Sequence, residues 1–138
     1  MNEHQEHAYP LMESAGDRLV AASGRRLAEV DLAAVAAGEA SIADLQIAPE
    51  TLRAQAEIAQ EAGYAQLAEN LRRAAELTAV PNEELLRMYE TLRPNRSSYA
   101  TLLAMAERLE ERYSAALTAA FVREAAEVYR ARGFVLGE

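Results

Sequence analysis

The stretch SSYATLLAMAERLEERYSAALTAAFVREAAEVYRARG, from Ser97 to Gly133, decides the fold class. Leu102, Ala106, Leu109, Tyr113, Ala116 and Ala120 recur at helical spacing, and Leu117, Phe121 and Val128 form a row beside them. That period is the one a helix with a buried face requires. Ser97 or Ser98 can cap the first turn, and neither proline nor glycine interrupts the run before Gly133. Taken as one element of about 33 residues at about 1.5 Å each, it predicts a rod of about 50 Å. A single domain of this size is only a little wider, so part of the rod is expected to lie on a partner.

The preceding segments are helical too. Asn82, ahead of Glu83 and Glu84, reads as the N-cap of a helix carrying Leu85, Leu86, Tyr89 and Leu92, which Arg93-Pro94-Asn95-Arg96 ends. Upstream, Leu67, Leu71, Ala74 and Thr78, with Leu77 alongside, predict a helix over about 64–79. Pro49 and Glu50 open another with Leu52, Ala56, Ala59 and Ala62, closed by Gly63. A short helix is expected at about 29–37, ending at Gly38, with one capped turn at Ser41–Asp44. Residues 1–27 hold Pro10, Gly16 and Gly24 and no sustained period, so they read as an extended arm, disordered to about residue 8. The expected fold is all-α: an open bundle of about four to five helices with a long C-terminal helix and an extended N-terminal arm. The domain boundaries are 1–27 for the arm and 28–138 for the helical domain.

Composition agrees. Of 138 residues, 31 are alanine, 39 are larger apolar residues, and only ten are Val or Ile. Alanine favours helix and buries little area, so the core is thin and is expected to be completed against something else. All 14 basic residues are arginine. Without lysine there is no Schiff-base chemistry and no lysine for a phosphate-binding loop. Without cysteine there is no thiol catalysis or disulfide. A net charge of −8 argues against a general nucleic-acid binder. With no signal-peptide pattern and no membrane-length apolar run, the chain reads as cytoplasmic.

Few residues suggest chemistry. His4 and His7 could share a helix face and hold a metal, but they lie in a tail without apolar periodicity. No core helix carries histidine, which excludes a Glu-x-x-His di-iron bundle. Glu76, Glu107, Glu110, Glu111 and Glu124 lie on helices, and no spacing singles out a catalytic pair. Arg72-Arg73 and Arg93-Pro94-Asn95-Arg96 are more pointed. Arginine's planar fork suits bidentate contact with a carboxylate, and in the second group Tyr89 and Tyr99 lie close in sequence.

These residues also carry a resemblance. Ile47-Ala48-Pro49-Glu50-Thr51-Leu52-Arg53-Ala54-Gln55-Ala56-Glu57-Ile58-Ala59 is similar to the small (gamma) subunit of coenzyme B12-dependent diol and glycerol dehydratases. So are Arg73-Ala74-Ala75-Glu76-Leu77-Thr78-Ala79-Val80-Pro81, Leu92-Arg93-Pro94 with Arg96-Ser97-Ser98, and Ala120-Phe121-Val122-Arg123-Glu124-Ala125-Ala126 with Tyr129. Tyr9-Pro10-Leu11, Ser23-Gly24 with Leu27, and Gly38-Glu39 resemble the family's N-terminal half. The chain departs from the family pattern at Asn95, where an aromatic residue is expected, at Leu71 for Phe, at Tyr64 for a basic residue, and at Ala48 for a capping Ser or Thr.

The resemblance implies an accessory subunit of a heteromeric lyase that converts propane-1,2-diol to propanal or glycerol to 3-hydroxypropanal. It implies adenosylcobalamin bound by the large and medium subunits, with the small subunit packed on the large one and carrying no catalytic, cofactor or metal residue. Some relatives use a longer N-terminal extension for microcompartment packaging, a role not expected of the eight residues before Tyr9. The interface candidates are Tyr89, Arg93, Pro94 and Arg96 around the loop, Phe121 and Tyr129 on the last helix, and Tyr9, Pro10 and Leu11 in the arm. The rival is a free-standing helical adaptor for an unrelated protein.

Overall fold

Among the described residues of the computed structural model five helices follow one another: α1 (Pro49–Glu61), α2 (Ala65–Leu77), α3 (Asn82–Thr91), α4 (Tyr99–Tyr113) and α5 (Ala116–Arg132). The structure describes residues 13, 18–21, 23–26 and 47–137. The helix expected at 29–37, the turn at 41–44, the two histidines and Tyr9, Pro10 and Leu11 lie outside them. Among the described residues the fold is helical, with one isolated antiparallel bridge between Val20 and Arg26. The chain divides into two compact units, Met1–Ala75 and Glu76–Glu138.

In the second unit, Ser98 is extended and its Oγ accepts from the Thr101 N–H at 3.1 Å, capping α4 as its position suggests. The rod expected from there to Gly133 is instead two helices. Ser114 turns left-handed (φ 53°, ψ 30°), and the N–H groups of Ser114 and Ala115 both reach the Leu109 carbonyl. The chain then folds back. Arg123 meets Glu110 at 2.5 Å near the turn, and Arg130 lies 4.2 Å over the Tyr99 ring at the far end.

Energetics explain the break. A left-handed non-glycine residue costs about 1–2 kcal/mol. A straight rod would leave apolar rows of both halves in water, and burying one Leu or Val contributes about 1.5–3 kcal/mol. Leu102, Leu109 and Val122 are fully buried in the hairpin, so burial wins. The turn also shifts the helical phase. α5 buries Ala115, Thr118, Ala119, Val122 and Ala126, while Ala116 and Ala120, expected inward, face out. Val80, Met88, Leu102, Met105, Ala106 and Leu109 join the same core, with Leu85 and Leu92 packed at its edge. Asn82 does not cap α3: Pro81 holds that position without a side-chain bond, and Asn82 is the first helical residue.

In the first unit, Pro49 opens α1 and Glu50 lies in its first turn, as expected. The cap position, Ala48, makes no side-chain bond. Gly63 (φ 88°) closes α1: its N–H reaches Gln60 O at 3.1 Å and that of Tyr64 reaches Ala59 O at 2.8 Å, a Schellman pair. α1 and α2 meet through Ala56, Ala59 and Ala68, with Leu71 at the edge. Leu67, expected inward, is exposed. The described part of the arm makes a turn at Gly24, and Leu19 packs on Ala54 and Ile58.

Candidate functional site

α3 turns Leu85, Met88 and Leu92 toward the core and leaves the opposite row outside. On that row Leu86 is 68% and Tyr89 56% exposed, at a spacing of three. One turn later the row meets the loop. Glu90 holds both loop arginines: Arg93 Nη1 lies 3.1 Å from Oε2 and Arg96 Nε 3.7 Å from Oε1. The structure thus brings Arg93 and Arg96 to one carboxylate, with Tyr89 and Pro94 beside them in the chain and all four exposed.

The loop is held from behind. Asn95 N–H donates to Phe134 O at 2.8 Å, and Leu136 N–H donates to Ser97 O at 2.9 Å. Ser97 Oγ donates to Thr91 O at 2.8 Å. Asn95 is left-handed (φ 61°), a conformation that Asn tolerates better than an aromatic residue, which accounts for the departure at this position. Tyr129 is part of this support: its hydroxyl donates to Leu92 O at 2.7 Å, and its ring meets Phe134 edge-on at 6.1 Å. Its side chain is half-buried, so it steadies the loop from inside.

A second polar group ties α3 to the α4–α5 hairpin. Glu84 accepts from Arg108 and from the Tyr113 hydroxyl, and its side chain is only 17% exposed. The Arg108 hydrogen bond, then the Tyr113 one, hold the Glu84 carboxyl below the usual carboxylate range. The bond to Glu84 raises the Tyr113 phenol, and the same carboxylate raises Arg108. All three groups engage one another, which makes this a clamp and leaves no poised acid or base.

Glu76 does related work. Its carboxylate accepts from Leu117 N–H at 2.9 Å, Thr118 N–H at 2.8 Å and Thr118 Oγ1 at 2.7 Å, supplying the cap that Ala115 cannot. Sequence spacing does not reveal this cap, because its partners are about 41 residues apart.

α5 exposes a second apolar row, Leu117, Phe121 and Val128, across the helix from its buried one. Phe121 belongs to it. Leu86, Leu117 and Val128, like Leu67, belong to helical stripes in the sequence yet lie at the surface, since spacing gives a period but not which face is covered.

Among the described residues, no group of His, Asp and Glu could hold a metal ion. Among the described residues the one buried polar side chain, Thr118, is engaged by Glu76.

Comparison with known proteins gives concordant matches. Residues 4–135 match the family model described as the dehydratase small subunit. The chain is 45% identical over 130 residues to the propanediol dehydratase small subunit of Citrobacter freundii, covering 94% of this chain and 76% of that one. It is also 45% identical over 130 residues to the propanediol dehydratase small subunit of Salmonella typhimurium LT2, covering 94% and 75%.

Proposed function

Because the chain belongs to the dehydratase small-subunit family, we propose that it is the accessory small subunit of an adenosylcobalamin-dependent diol dehydratase. In this assignment the holoenzyme converts propane-1,2-diol to propanal, or glycerol to 3-hydroxypropanal. Substrate and cobalamin belong to the large and medium subunits. This chain packs mainly on the large subunit and stabilises the assembly in the bacterial cytoplasm. Among its described residues, no helix is long and apolar enough to cross a membrane.

One observation carries the proposal. Among the described residues, eleven of the nineteen buried apolar residues are alanine, whereas ten large hydrophobics are exposed. Large side chains left at the surface of a chain whose core is largely alanine offer apolar area for another surface to bury. The residue types agree, since Tyr and Arg dominate interface hot spots and both line the α3 face.

Reconstitution tests it. Large and medium subunits from the same source are assayed for diol dehydration with adenosylcobalamin, with and without this chain, and the complex mass is measured. The expected outcome is a heavier and more heat-resistant complex with this chain, and reduced activity without it. Full activity and unchanged mass in its absence would sink the proposal.

A further inference from the structure

We infer that the outer face of α3 and its loop, formed by Leu86, Tyr89, Arg93 and Arg96, is the surface that seats the large subunit, and that it receives an apolar segment bearing a carboxylate. This inference rests on the accessory-subunit assignment and names the contact within it.

Three features support the choice of face and of occupant. Leu86 and Tyr89 are two of the most exposed large hydrophobics among the described residues, and they stand on one helical row leading into the loop. Arg93 and Arg96 share the single carboxylate of Glu90, so two positive charges meet one negative charge and the patch keeps a net +1. That surplus sits on a chain of net charge −8, which makes it a local positive site able to orient an acidic partner segment.

The third feature is rigidity. Both main-chain bonds to Phe134 and Leu136, together with the Ser97 and Tyr129 hydroxyl bonds, fix the loop before any partner arrives. Glu90 draws both guanidinium groups toward one carboxylate, and the fixed loop backbone lowers the ordering cost of docking. A second copy of this chain is a poor occupant. An isologous contact would set the +1 patch against its own equivalent, with like charges opposed.

The test measures association of the full chain with the complex of large and medium subunits, at low and high salt. Arg93→Glu with Arg96→Glu should weaken binding at least ~30-fold and flatten its salt dependence. Leu86→Ala with Tyr89→Ala should weaken it ~10-fold or more. Arg53→Glu with Arg87→Glu alters net charge equally at exposed surface pairs and should stay within ~3-fold of wild type. Circular dichroism and melting of each isolated variant should match wild type, and Arg93→Gln with Arg96→Gln gives the same reading without new acids.

Failure of the wild-type chain to bind the other subunits sinks the accessory-subunit assignment itself. Wild-type binding with an unaffected Arg93/Arg96 variant overturns only this inference. So does a clearly lowered melting point of the Arg93→Gln, Arg96→Gln variant in isolation, which would place a segment of this chain over the patch. A concentration-dependent dimer of the isolated chain that the variant abolishes also overturns it, in favour of a second copy.

Discussion

The α1–α2 and α4–α5 connections are built on similar turns and are held differently, since among the described helices α4 and α5 pack along one another and α1 and α2 touch only at a few alanines. Each turns on a left-handed residue, Gly63 in one and Ser114 in the other. The first closes over Ala56, Ala59 and Ala68. The second closes over Leu102, Met105, Leu109 and Val122, and the Glu76 carboxylate caps its second helix. The glycine turn follows from local chemistry. The serine turn is strained locally and is held by what it allows to pack.

The largest effect should separate the two cores. Leu109→Ala removes a fully buried side chain from the second hairpin and should cost about 2–5 kcal/mol. Leu71→Ala, at the half-buried edge of the first, should cost clearly less, as read by urea unfolding. Equal losses would break the contrast. Glu76→Ala comes next, at about 0.5–2 kcal/mol, because it strips the cap from the first turn of α5. Amide exchange should rise first at Leu117 and Thr118, and a uniform rise along the chain would contradict a local cap.

Smaller effects fall on the turns. Ser114→Gly relieves left-handed strain and should stabilise by about 0.5–1 kcal/mol, whereas Gly63→Ala should destabilise by a similar or larger amount. The same sign at both positions in thermal melts would mean the turns are not equivalent.

The last comparison is with pH. The Glu84 carboxyl is held below its ordinary value of 4.5, so the stability it contributes is present above that pH and is lost as pH falls through its lowered value. Glu84→Gln should flatten the acid limb of a stability–pH curve. The raised Tyr113 phenol acts oppositely: its contribution is complete below pH 10.0 and is lost as pH rises through its raised value, so Tyr113→Phe should flatten the alkaline limb. Neither substitution should alter α1 or α2.

Of the interface candidates, Arg93, Pro94 and Arg96 stand in an exposed loop, as proline between long cations suggests, and Tyr89 is exposed on the helix before it. Phe121, another candidate, lies on an exposed row of α5, and the candidate Tyr129 is half-buried with its hydroxyl turned inward to Leu92. Leu86 belongs to a helical stripe yet lies at the surface. Periodicity states that residues share a face; it does not state what that face meets.

The sequence by itself determined the helices and most of their ends. Pro49, Gly63, Ser98 and Gly133 act on their own turns through backbone geometry and single hydrogen bonds, so they need no distant partner. Tertiary structure decided the break at Ser114, the phase of α5 and the cap from Glu76. These depend on burial gained between segments far apart in the chain. A local cost of about 1–2 kcal/mol at a left-handed serine is accepted only where the returning helix buries more than that.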